Sequence, residues 1–518
     1  MGRRVAIALA VASVICGVAA EPAAASTASS RPAAADKLKA AQPAAPPNEA
    51  RLAELKAVVE KLKVQDFKAV YALVKPIAER PDLDDQSSES RHFVWYALGL
   101  SALQTDKPEE AHKALVKATA LDGVTGWDWL LRAIAAYALK DNDDAVYAFA
   151  TMAETYPLQL SELDDSFFDE MSRAALKLPR GEQRQMSLMD ALLDAGWSPK
   201  KPEADWSRPW AEHAARLLDR GDVARAGKAA ARVVQPGTVA AMRADNRFAP
   251  LVAKEPARFD VTKAHAAWLE AARASAARAP KSLAALDNVA QALNAMGRYE
   301  ETLVLTREAL AKPASAWDDA DNLNWTLDLQ ARALRDLGRV DEALAVWRRA
   351  AGLNEQGRVN VSQTLNLADM LVGAGRPREA LATLETVKDG MSGYGRMVRA
   401  NIRACALAEL DDRAEAGEAV AEMAASPDAE DAPMLLLAAR ICLGDLDAAA
   451  AGLIVLLKDP ETRLQALGEV QDAPPPPGAT AYLRGLDARL KALLARPDVR
   501  AALAPVGRIE RQPYPAGY

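Results

Sequence analysis

The stretch GRVDEALAVW, Gly338 to Trp347, decides how the chain is read, because GRYEETLVLT from Gly297 and GRPREALATL from Gly375 nearly repeat it. Each begins with glycine, passes through charged residues to a small residue five places on, and then turns apolar. A phosphate-gripping loop needs further glycines after a strand, and a nucleophile elbow needs a serine between two glycines. The three segments have neither. Apolar residues recur at helical spacing on both sides of the glycine, so the motif reads as a turn between two helices.

The spacing of these turns organises the chain. The residues five places after the glycines, Thr302, Ala343 and Ala380, lie 41 and 37 apart. Upstream, DKPEEAHKAL and DNDDAVYAF place Ala111 and Ala145 in the same role, 34 apart. That period, with Trp95, Leu98, Gly99 and Ala118 around Ala111 and Trp129, Phe149 and Pro157 around Ala145, resembles the tetratricopeptide repeat. Ala290, Ala331 and Ala368 fall where that repeat needs small residues for its helices to approach. Good matches form two blocks, about 91 to 158 and 283 to 390. Degenerate matches surround Phe67 and Val70, Trp210 and Ala226, and Ala416 and Ala449. The resemblance implies an all-α fold: a right-handed α-solenoid of helix hairpins in two blocks, with an irregular helical middle and a C-terminal capping helix.

The rest of the chain is assigned around these blocks. Residues 1–20, MGRRVAIALAVASVICGVAA, have a basic start and a short apolar run, which predicts a secretory signal cleaved before Glu21. Residues 21–48 are rich in Pro, Ala and Ser and predict a flexible linker. An N-terminal repeat block is expected over 49–158, an irregular segment with one degenerate repeat over 159–280, and a C-terminal block over 281–460. Residues 461–518 hold a proline-rich linker, a tail and the helix AYLRGLDARLKALLA, whose Leu483, Leu486, Leu490 and Leu493 share one face suited to capping the array's open end.

Composition narrows the function classes. The chain of 518 residues has a formal net charge of −7, which becomes −9 once Arg3 and Arg4 leave with the signal. With no basic stripe, nucleic acid is excluded as the expected partner. After the signal no apolar run approaches membrane-spanning length, so no integral membrane segment is expected. The four histidines, His92, His112, His213 and His265, form no helix-borne pair, and HExxH and CxxC are missing, so neither metal nor cofactor is expected. The acidic stretches at Asp82, Asp141 and Asp318 fail the calcium-loop pattern and read as helix caps. Cys405 and Cys442 lie 11 and 7 residues before Ala416 and Ala449, one turn out of register on neighbouring helices. A disulfide needs Cα atoms within about 7 Å, so two buried free thiols are expected.

The resemblance also implies where partners bind, since the first helix of each repeat lines the concave face. In the N-terminal block that face carries Phe93, Tyr96, Trp127, Leu130 and Tyr137, an apolar aromatic groove open to a partner or filled by the chain's own flanking helices. In the C-terminal block it carries Asp287, Gln291, Asn294, Trp325, Asp328, Arg332, Arg335 and Asp369, a polar groove in which the two arginines are expected to recognise a polar or carboxylate-bearing segment. The expected function is non-catalytic: an exported scaffold or adaptor binding protein or peptide partners in the bacterial cell envelope, periplasmic or secreted. The alternatives are chaperone-like capture of exported polypeptides, and an enzyme using Asp164, Asp165, Asp169 and Glu170 in the irregular middle.

Overall fold

The computed structural model describes residues 49–515 apart from 158–159, 161–164, 200–204, 355–358, 388–389 and 430–431. The expected signal peptide and linker lie outside the described residues, as does Asp164. The fold is all-α. Among the described residues there is no strand, only two isolated bridges, Asp245 with Gly507 and Asp472 with Arg511. No helix among them is long and apolar enough to cross a membrane. The chain divides into two units between Lys201 and Pro202. The stretch expected as one irregular segment, 159–280, is thereby shared between them.

The first unit contains α1 (Glu49–Lys63), α2 (Phe67–Ala78), α3 (Ser88–Gln104), α4 (Pro108–Ala118), α5 (Gly126–Ala138), α6 (Asn142–Thr155), α7 (Asp165–Leu176) and α8 (Gly181–Asp194). Consecutive helices pack in pairs, and α3 also touches α5, the contact of first helices in successive repeats. Gly99 sets the first hairpin's spacing: a Cβ there would lie 2.5 Å from Cγ of Leu115 on α4. Ala111 and Ala145, the residues that gave the period, are fully buried. The Asp141 side chain accepts from the Asp144 amide at 3.2 Å and caps α6, the role expected of this acidic stretch.

The second unit begins with α9 (Ser207–Asp219), α10 (Val223–Ala230), α11 (Pro236–Ala244), α12 (Ala249–Lys254) and α13 (Val261–Arg278). Regular hairpins follow: α14 (Leu283–Ala295) with α15 (Tyr299–Leu310), α16 (Leu323–Asp336) with α17 (Val340–Ala351), and α18 (Val361–Gly373) with α19 (Pro377–Leu384). Next come α20 (Gly393–Glu409) with α21 (Arg413–Ala425) and α22 (Pro433–Leu443) with α23 (Leu446–Lys458). The unit ends with α24 (Pro460–Glu469), α25 (Ala481–Ala495) and α26 (Pro497–Leu503). Gly338 turns the chain between α16 and α17 at φ +80°, a left-handed conformation that costs an L side chain about 1–2 kcal/mol. Ala343 and Trp347 then bury against α16, and the Trp347 indole N–H donates to Oδ1 of Asp328 at 2.7 Å.

One expectation is corrected here. Cys405 and Cys442 are joined by a disulfide, with Cα atoms 5.1 Å apart. Counting register along the sequence supposes that neighbouring first helices stack level. At α20 and α22 they do not, and the one-turn offset disappears in space. The C-terminal helix α25 covers the last repeat, as expected, and the C-terminal region also reaches further. Tyr482 and Leu486 on α25 pack against the cluster that holds Cys405 and Cys442, and the Thr480 hydroxyl donates to the Gly373 carbonyl at 2.7 Å, so this helix reaches back from α22 and α23 to α18. Helix α24 packs on α11 near the start of the unit. There Arg216 pairs with Glu461, Arg243 with Glu510 at 2.6 Å, and the Asn246 amide donates to the Val506 carbonyl at 2.9 Å. The small residues Gly468, a Cβ on which would meet Ala241 at 3.3 Å, and Gly507 permit this approach. The unit's end thus returns to its beginning and walls in the concave face.

Candidate functional site

The walled face encloses a cavity of about 1030 Å³. Two successive first helices supply one side. From α14 come Asp287, Gln291 and Asn294, and from α16 come Trp325, Asp328, Arg332 and Arg335. These are the residues that the repeat register places on the concave face, and the hairpin geometry brings all seven to one cavity. Asp369 on α18 is exposed one repeat further along and acts electrostatically on Arg332 and Arg335, although it does not line the cavity itself. The opposite side was not legible from the repeats. It consists of His265 and Trp268 on α13, Gln465 and Glu469 on α24, and the tail residues Gln512 to Pro515. Gln465, Glu469 and the tail arrive through the return of the C-terminal region, for which no periodic signal exists, whereas His265 and Trp268 come from α13, which packs on α14.

Asp328 is the hub of the polar network. It accepts from Arg332 Nε at 2.7 Å, from the Trp347 indole at 2.7 Å and from Asn366 Nδ2 at 3.0 Å. Desolvation works against the Arg332 charge, but Asp328 holds its guanidinium above the ordinary value. Arg335 donates from Nε to Oδ1 of neighbouring Asp336 at 2.7 Å, and both are buried. Burial raises the Asp336 carboxyl even against this arginine. Both arginines expected to meet a partner are therefore engaged by the chain's own carboxylates.

Asp287 has no such cation. It is 9% exposed, and its Oδ1 has no hydrogen-bond partner. Burial pushes its carboxyl up to about 7, the Thr326 hydroxyl pulls the other way, and the charges of Asp319 and Asp328 add to the rise. Asp319 keeps its own charge. Burial opposes it, but the Leu283 and Ala284 amides at the start of α14 donate at 2.7 and 3.0 Å, and its carboxyl stays below the ordinary value. On the far wall burial pushes His265 down to about 4, with its ring 4.6 Å from Tyr514. A neutral imidazole, two tryptophans and a row of engaged or unengaged acids make a surface suited to holding a polar, partly aromatic chain segment.

The groove expected in the first unit is largely core. Leu130 is fully buried and Trp127 nearly so, while Phe93 packs on the cluster around Val70 and Val94. Tyr96 is half-buried beside His92, and burial raises its hydroxyl well above the ordinary value. Of these five residues only Tyr137, at 38%, is open to solvent. First-helix positions in this block face other helices, and the residue type cannot tell a core aromatic from a groove aromatic. Among the described residues no group of three or more His, Cys, Asp or Glu is arranged to hold a metal ion.

The repeat geometry agrees with what comparison finds. Residues 283–405 match the sequence model of the family described as Tetratrico peptide repeat. That stretch runs from α14 into α20 and includes the wall carrying Asp287 to Arg335. A search of the curated proteins gave no match. Similar solved structures include the APC/C hetero-tetramer Cut9-Hcn1, at 14% identity over 87% of this chain and 89% of that one, with a TM-score of 0.26. Another is a Rap protein complexed with competence and sporulation factor, at 12% identity over 86% of this chain and all of that one, with a TM-score of 0.22. At these scores neither likeness bears on function.

Proposed function

We propose that the protein is a non-catalytic, exported scaffold that holds an extended segment of a partner protein in the groove of its second unit. The observation that carries this reading is the cavity of about 1030 Å³ lined by corresponding positions of successive first helices, with Trp325 still 44% exposed within it. A large exposed aromatic ring on a rigid concave wall is a costly arrangement in isolation and a common anchor at protein interfaces. Export is supported by the basic and apolar pattern of residues 1–20 and by the Cys405–Cys442 bond, which persists in an oxidising compartment. The bacterial cell envelope is the setting this reading assigns.

A photo-crosslinking residue at Gln291 in intact cells tests it, with the same residue at exposed Glu89 of the first unit as reference. One or two stoichiometric crosslinks at Gln291, lost on Trp325→Ala and missing from Glu89, are expected. Crosslinks indifferent to Trp325→Ala, or none at Gln291, overturn the proposal.

A further inference from the structure

The groove of the second unit has a charge imbalance that the sequence conceals. Its arginines are already held: Arg332 by Asp328, Arg335 by Asp336, and Arg208 by Glu212 at 2.8 Å. Among the described residues three carboxylates have no hydrogen-bonded cation, Asp287 and Glu469 on the cavity wall and Asp369 one repeat along, and burial raises all three. Asp287 is more than nine-tenths buried with Oδ1 unpartnered, and two turns further on the same helix Asn294 presents a second oxygen without a donor. A buried acceptor left without a donor costs roughly 1–3 kcal/mol, and an arriving donor relieves that cost. Beside them Trp325 exposes a face that can cover an alkyl stem or meet a cation. Unpartnered acceptors, surplus carboxylates and an aromatic wall together select a group that is positive, donates several hydrogen bonds and has an apolar stem.

We infer that this groove takes a basic side chain, lysine or arginine, of an extended polypeptide, lodged at Asp287 and Trp325 with Glu469 facing further positive charge along the segment. This rests on the groove being a partner site, and it reverses the sign expected from the sequence, where Arg332 and Arg335 stood as the recognising charges. A cavity of about 1030 Å³ accommodates a stretch of chain rather than a single small cation.

The test measures binding of two fluorescent, end-capped alanine peptides to the purified chain at physiological ionic strength, one carrying lysines and the other glutamates at the same places. The lysine peptide should bind and the glutamate peptide should not. Glu469→Gln, which alters an exposed side chain only, and Asp287→Asn/Glu469→Gln should weaken the lysine peptide by roughly tenfold and up to a hundredfold respectively, the range for charge-assisted hydrogen bonds. Glu89→Gln/Glu109→Gln removes equal charge from exposed positions of the first unit and should leave binding within about twofold. Equal loss in both double variants would show general attraction to an acidic chain and overturn the inference. Binding of the glutamate peptide, or of neither peptide, overturns it too. In those cases crosslinks at Gln291 that still depend on Trp325 keep the partner groove itself standing.

Discussion

Replacing Asp287 by asparagine should stabilise the protein at neutral and alkaline pH and do almost nothing in acid. The carboxyl is pushed from its ordinary 3.8 to about 7 in the folded chain, mainly by burial. Below about pH 4 the group is protonated in both folded and unfolded states and contributes no pH dependence. Between about 4 and 7 the folded state binds a proton that the unfolded chain has released, so stability falls as pH rises. Above about 7 the carboxylate is ionised in both states, and its full burial cost is present. The gap between 3.8 and about 7, at about 1.4 kcal/mol per pH unit, sets that cost on the order of 4 kcal/mol. Asparagine keeps the shape and an acceptor for Thr326 without the charge, so the variant should recover up to that amount. Guanidinium unfolding followed by circular dichroism across the pH range gives the difference between variant and parent directly. A difference that stays flat with pH, or a variant less stable than the parent in alkali, would refute the reasoning. The outcome also bears on function: a wild-type residue that destabilises the fold at neutral pH is what a site awaiting a cation looks like.

Three further outcomes are expected. A thiol probe added to the denatured, unreduced protein should leave Cys405 and Cys442 unlabelled, and Cys405→Ser/Cys442→Ser should lower stability by roughly 4 kcal/mol, the loop-closure value for a separation of 37 residues. Leu130→Ala should cost about 2–5 kcal/mol as a core cavity, whereas Tyr137→Ala should cost under about 1, and chemical denaturation distinguishes the two. Gly338→Ala should cost about 1–2 kcal/mol in the same assay, because φ is +80°, a conformation an L side chain disfavours.

The repeat half of the site could be read because a helix hairpin is a local object. Gly297, Gly338 and Gly375 mark turns, the small residues five places on mark close helix packing, and the two together fix which side chains share a face. Counting from them reaches Asp287 and Arg332 without any tertiary information. The same counting failed in the first unit, where Trp127 and Leu130 occupy equivalent positions but are core, since register gives a direction and not what lies in that direction. It failed also at Cys405 and Cys442, where the offset between stacked helices is set by how repeats tilt on one another. Glu469, His265 and Tyr514 carried no periodic mark at all, and the pairing of Arg332 and Arg335 with neighbouring acids, which changes the sign of the groove, lay one step beyond residue type.

By itself, then, the sequence determined the all-α repeat architecture, its turns, its small-residue contacts and one wall of the groove, because these follow from interactions among residues within one or two hairpins. Only the tertiary structure decided that the end of the second unit returns to its start, that the cysteines meet, and that the groove's arginines are satisfied while Asp287 is not. Those outcomes depend on contacts between residues as distant in sequence as Arg243 and Glu510, and on desolvation by walls that no local pattern encodes.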